Sequence, residues 1–173
     1  MTCKPVKASV WPPKHPDAEL DYAADFEEAC ARLWSRLTDF SAGERIRIFD
    51  GGKAVGFEFE PTTPGRSGVR RPLFPSVIGD TVPDGSVIWT CRALSSASLL
   101  RTISGTPAWT VDDDALTISD QSVSGFKAIA KLSGGEDDDD YVVTVTAQTS
   151  DGLVIPKTVI LPVRIPANPE TVC

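Results

Sequence analysis

A chain of 173 residues, 41% hydrophobic and 24% charged, is long enough to bury the core of one or two domains. Its net charge of −7 is uneven: residues 1–75 carry 11 Lys and Arg against 11 Asp and Glu, residues 76–173 carry 6 against 13. An acidic second half repels a phosphate backbone and so argues against nucleic acid as the main ligand, and no apolar run approaches the roughly 20 residues that span a bilayer.

Residues 1–17 read as an extended arm. Pro5, Pro12, Pro13 and Pro16 remove backbone donors and keep their predecessors out of helix. Met1 to Pro16 has no continuous apolar core, so no export through a signal peptide is expected. Val10 and Trp11 are its large apolar anchors, and Trp11 is a candidate docking residue. Two uses stay open: the arm lies over its own domain, or it docks on a neighbouring subunit.

Leu20, Tyr22 and Ala24 alternate with charged residues, as in a strand. From Phe26 the period changes. Phe26, Ala29, Cys30, Leu33, Trp34 and Leu37 share one helical face, and Asp25 with Glu28 forms a capping box, which predicts a helix over about 26–38. Residues 45–49 and 55–60 flank Asp50-Gly51-Gly52-Lys53, a hairpin signal. Arg45 and Arg47 are then set to pair with Glu58 and Glu60, each exposed pair contributing roughly a few tenths of a kcal/mol. Residues 61–75 (PTTPGRSGVRRPLFP) read as a mobile Pro/Gly-rich loop. The forked guanidinium groups of Arg66, Arg70 and Arg71 suit an acidic partner surface, so the three are candidate docking residues; a solubilising loop is the alternative.

Val87 to Leu94 reads as a strand with Trp89 and Cys91 turned to a core, and the Ser/Thr-rich residues 95–107 as a connection between sheets. Short strands follow at Trp109–Val111 and Leu116–Ile118, around Asp112 to Asp114. Runs 126–132, 141–149 and 153–163 then form a meander. In the middle run Tyr141, Val143, Val145 and Ala147 build one face, with Val142, Thr144, Thr146 and Gln148 on the other. Ser150-Asp151-Gly152 supplies its hairpin turn. About seven short strands separated by turn signals predict a β-sandwich over 80–165. Tyr141 opens a penultimate strand after an acidic corner, where immunoglobulin-like sandwiches place a tyrosine whose hydroxyl ties down a loop; a merely core-facing ring is the alternative.

Motifs that carry chemistry are sparse. His15 is the lone histidine and sits in the arm, a poor place to hold a catalytic geometry, and no nucleophile-elbow, Walker, zincin or dinucleotide motif occurs. Consecutive aspartates at 112–114 and 136–140 lack the alternating spacing of a calcium loop, and the cysteines have no CxxC spacing. No catalytic, cofactor or metal site is expected. Cys30 and Cys91 fall in apolar patterns and are expected as buried thiols. Cys3 and Cys173 stand near the ends, where an intermolecular disulfide and no bond at all are both open.

The segments HPDAELDYAADF (15–26), GDTV (79–82), AKLSGG (130–135) and YVVTVTAQTSDGLVIPKTVILPV (141–163) resemble the fibre–tail adaptor or neck-region virion proteins of tailed bacteriophages. The resemblance implies an immunoglobulin-like β-sandwich and a mainly β fold; the block 27–78 departs from the family's pattern and reads as an inserted α+β segment of one helix and a β-hairpin. The expected organisation is an arm (1–17), a sandwich (18–26 and 79–165), an insertion (27–78) and a C-terminal tail (166–173). The implied function is a non-enzymatic structural component of the virion, assembled in the host cytoplasm. Its partners are other virion proteins (portal or neck, tail or fibre subunits), and it stands in several copies in a symmetric ring. No cofactor, nucleic acid or membrane is implied. One rival is a surface carbohydrate-binding sandwich, which needs exposed aromatics among Trp11, Trp34, Trp89 and Trp109; the other is a small hydrolase working through His15.

Overall fold

The computed structural model describes residues 9–166. In chain order, β1 (Ser9–Val10) and β2 (Leu20–Asp25) precede a short helix, α1 (Glu27–Cys30). Then come β3 (Asp39–Phe40), β4 (Ile46–Asp50), β5 (Lys53–Thr63), β6 (Gly65–Arg66), β7 (Thr81–Asp84) and β8 (Val87–Ala93). β9 (Ile103–Val111), β10 (Leu116–Ser124), β11 (Lys127–Gly134), β12 (Asp140–Thr149) and β13 (Val154–Pro162) follow. The fold is mainly β, as expected. The chain divides into two compact units: unit 1 comprises Met1–Phe26 with Ile103–Cys173, and unit 2 is the continuous stretch Glu27–Thr102.

Unit 1 is a β-sandwich. One sheet runs β1-β13-β12-β9 and the other β10-β11-β2. Alternation along β12 turns Tyr141, Val143, Val145 and Ala147 inward, where they meet Tyr22 and Ala24 of β2, Ala128, Ala130 and Leu132 of β11, and Leu161 of β13. Of the expected meander the second hairpin forms, with antiparallel β12–β13 pairing from Asp140↔Pro162 to Gln148↔Val154; its first run, β11, crosses to the other sheet and pairs with β10 and β2 instead. The outward register aligns Thr110, Thr144 and Thr158 in one row and Ala108, Thr146 and Pro156 in the next. Tyr141 fills both roles proposed for it: its ring is buried, and its hydroxyl accepts the Glu136 N–H at 2.7 Å. Gly135 is required beside it, because at φ +87° an added Cβ would sit 2.9 Å from Val163 and 3.1 Å from the Tyr141 ring.

From Ser9 the arm lies on its own unit. β1 pairs in parallel with β13, the Trp11 N–H donates to the Ile160 carbonyl (2.9 Å), and the Lys14 N–H donates to that of Pro162 (3.1 Å). Lys14 is buried, and its ammonium donates to the carbonyls of His15, Pro16 and Gly134 at 2.8, 3.2 and 2.6 Å. Burial pulls its pKa down, an effect that the charge of Asp17 opposes.

Unit 2 has its own four-stranded sheet, β4-β5-β8-β7, and a two-stranded one, β3-β6. Its core gathers Phe40, Ile46, Ile48, Phe59, Val87, Trp89 and Cys91. Two expectations change here. Residues 79–102 were assigned to the sandwich, but β8 pairs with β5 and β7, because the apolar partners of Val87, Trp89 and Cys91 lie on β3, β4 and β5. The helix expected over 26–38 is confined to Glu27–Cys30. Beyond it the backbone finds partners far along the chain: the Arg32 N–H donates to Ser98, the Arg47 N–H donates to Arg32, and Ala31 and Leu33 bridge to Leu99 and Arg47. Leu33 and Leu37 are left exposed, so the helical spacing did not mark a buried face.

Candidate functional site

The three candidate arginines all lie in unit 2, on a segment held more firmly than its composition suggests. Arg66 forms β6 with Gly65; its N–H donates to Ser86 Oγ (2.8 Å), and its carbonyl accepts the Ser86 N–H (2.9 Å). On the other side the Ser67 N–H donates to Thr38 O (2.9 Å), and the Ser67 hydroxyl donates to Ser35 O (2.6 Å). Asp84 closes the knot. Its buried carboxylate accepts the indole N–H of Trp34 (2.7 Å) and of Trp89 (3.0 Å) through Oδ2, and the Gly68 N–H (2.7 Å) through Oδ1. Residues 65–68 are therefore a fixed strut, and the expectation of a mobile loop does not hold over them.

Beyond the strut the arginines separate in role. The Arg66 guanidinium turns back to donate to Leu37 O (3.0 Å). Arg70 and Arg71 are exposed, and Arg71 lines two recesses of unit 2. One, of about 290 Å³, has Phe57, Phe59 and Phe74 among its walls; the other, of about 310 Å³, is walled by Leu33, Trp34 and Phe49. Ile48 is common to both. The same segment leaves apolar side chains in solvent: Leu73 is 94% exposed and Val69 67%, with Val77 and Ile78 exposed after them. Cationic forks beside uncovered aliphatic side chains suit a protein surface that is acidic and apolar together. The apolar half of this arrangement was missed in sequence. Its signal is Leu73 between Pro72 and Phe74-Pro75, where prolines keep an aliphatic residue from entering a central strand.

Beneath the hairpin lies a buried ionic network that the exposed-pair expectation did not foresee. Glu58 is fully buried and ion-paired with Arg45, and it accepts the hydroxyls of Ser95 (2.6 Å) and Ser98 (3.0 Å). Burial alone would push the Glu58 pKa up; the hydrogen bonds from Ser95, Arg45 and Ser98 outweigh it and hold the carboxyl below its ordinary value. Arg45 also reaches Glu60, as expected. Arg47 pairs instead with Glu27 and is linked to the network through Ser98, to whose Oγ it donates at 2.8 Å.

The remaining candidates are spent or undescribed. Trp11 stacks in unit 1 at 4.9 Å from Tyr22 and 6.1 Å from Trp109, a core contact, with the ring half-buried. Trp89 and Trp109 are buried and Trp34 is half-buried on Asp84, so the tryptophans form no exposed platform for a sugar. His15 Nδ1 accepts the Asp17 N–H at 3.2 Å. Cys30 and Cys91 are both buried, as expected, and burial pushes the Cys91 thiol up in pKa. Cys3 and Cys173 lie outside the described residues.

Residues 80–162 match a family model described as Gp77, podophage GP4 fiber-tail adaptor protein gp77. The match begins at the start of β7 in unit 2 and ends with β13 in unit 1, covering the second part of the resemblance noted in sequence. No curated protein and no solved structure matches the chain. Through residues 80–162 the chain is similar to the phage fibre–tail adaptor family, which is consistent with a structural component of the virion.

Proposed function

We propose that this protein is a non-enzymatic adaptor that bridges tail and fibre subunits of a phage particle, in several copies about a symmetry axis. The family match over residues 80–162 carries the reading. The exposed Arg70 and Arg71, set on a strut that fixes their backbone and flanked by uncovered Val69 and Leu73, support unit 2 as one docking element. An adaptor repeated around an axis uses each contact many times, so modest single interfaces suffice.

The test is incorporation. Arg70→Glu with Arg71→Glu changes two exposed side chains, so the purified variant keeps the melting temperature of the unmodified protein to within a few degrees. Its recovery in purified particles is expected to fall at least tenfold. Recovery equal to the unmodified chain would move the contact away from this segment. Absence of the unmodified chain from particles would end the adaptor reading.

A further inference from the structure

The outer faces of the two sandwich sheets are chemically unlike. The three-stranded sheet is dressed with charge: Lys131 of β11 pairs with Glu19 (3.2 Å) and Asp120 (3.0 Å), and Asp21 stands on β2 in register with Lys131. The four-stranded sheet is not. From the Val142–Ile160 row to the Gln148–Val154 row, twelve outward positions on β1, β9, β12 and β13 hold no charged side chain. A soluble surface is about a quarter to a third charged, so twelve positions would ordinarily carry about three or four. The contrast is sharper because unit 1 is the acidic unit: residues 1–26 and 103–173 carry 15 Asp and Glu against 7 Lys and Arg.

Instead the face presents the threonine row, with the hydroxyls of Thr144 and Thr158 3.3 Å apart, beside exposed Val142 and Val154. Charge returns only at the margin, where Asp112 accepts the Val142 N–H (2.8 Å) and Asp140 pairs with Arg164 (2.6 Å). A charge-depleted centre with a charged rim is the anatomy of a protein–protein interface.

We propose that this face is a docking surface for another virion protein, one that presents an uncharged, apolar and hydroxyl-bearing patch. The proposal rests on the adaptor reading and adds a surface on unit 1 to it. Two observations disfavour a second copy as the occupant. Stacking two such faces would bring together two units that each carry an excess of eight acidic residues. The strand spacing and rise give the face roughly 20 Å by 20 Å, about 400 Å² per side, against about 800 Å² in a stable isolated pair. A face of half that size fits a contact made only in the assembled particle.

Two charge insertions of opposite sign test it: Thr144→Glu and Thr146→Lys. Thr144→Ser is the conservative control, and Thr117→Glu places a charge on the exposed side of the other sheet. Both insertions are expected to reduce recovery in purified particles at least tenfold, with elution volume and melting temperature unchanged, while the two controls incorporate normally. Normal recovery of both insertions would overturn the proposal and leave the adaptor reading standing. An unmodified chain that elutes as a dimer, converted to monomer by either insertion, would overturn it in favour of self-association. An unmodified chain missing from particles would overturn both readings.

Discussion

Single side chains in this protein are placed by specific hydrogen bonds, some local and some closing over long sequence distances, and their removal has calculable consequences. The Tyr141 hydroxyl satisfies one amide of the acidic corner, that of Glu136. Tyr141→Phe keeps the buried ring and orphans that amide, and is expected to cost about 1 kcal/mol in urea denaturation; an unchanged midpoint would mean that water takes the amide at no cost. Glu58 carries a pH dependence. Its folded pKa lies below the unfolded value, so its contribution to stability is complete above the unfolded pKa and is lost as pH falls through the folded one. Unit 2 is thus expected to weaken on acidification below about pH 4.5, the ordinary glutamate value. Glu58→Gln should lower stability at neutral pH by roughly 1–3 kcal/mol and flatten that acid dependence. An acid profile identical in both proteins would assign the effect to other carboxylates. Local pattern set Arg45 and Arg47 across the hairpin from Glu58 and Glu60, but register puts Arg47 opposite Glu58. That Arg45 takes Glu58, and that Glu58 is buried, depends on the fold, including Ser95 and Ser98, 37 and 40 residues away.

At the scale of elements, alternation was a sound guide and helical spacing was not. β2 and the hairpins β4–β5 and β12–β13 were legible because their strands alternate apolar with polar residues and the hairpin turns carry glycine, whereas the crossing of β11 to the other sheet left no local sign. The helix over 26–38 failed because the backbone of Arg32 found partners on Ser98 and Arg47, and Glu27 was drawn to Arg47. The strut at 65–68 was hidden for a related reason: a Pro/Gly-rich segment signals a loop, and only the fold brings Asp84 and Ser86 beside it. Gly85 makes that approach possible, with φ at +65° and the position of an absent Cβ 2.3 Å from the Arg66 carbonyl oxygen. Gly85→Ala is expected to destabilise unit 2 by about 1–3 kcal/mol and to speed hydrogen exchange at the Ser86 amide, which donates to Arg66. Unchanged exchange there would show that the strut tolerates the displacement.

For the whole molecule, the β class and the likeness to the adaptor family were legible in sequence, and the border between units was not. The reason is that β7 and β8 belong to the matched stretch yet pair inside unit 2, so the family match and compactness divide the chain differently. The candidate docking residues on unit 2 were legible from charge. The neutral face of unit 1 was half visible, as the hydroxyl-bearing parity of β12, but its extent needs the pairing of four strands. That pairing also imposes a timetable. β1 hydrogen-bonds to β13, which begins at Val154, so the sandwich cannot close until the chain has been made through β13. Unit 2 is unbroken and complete at Thr102. On the ribosome, which releases the chain from its N-terminus, the later-numbered unit is ready first, and β1 and β2 must each wait for a partner, β13 and β11, more than a hundred residues behind.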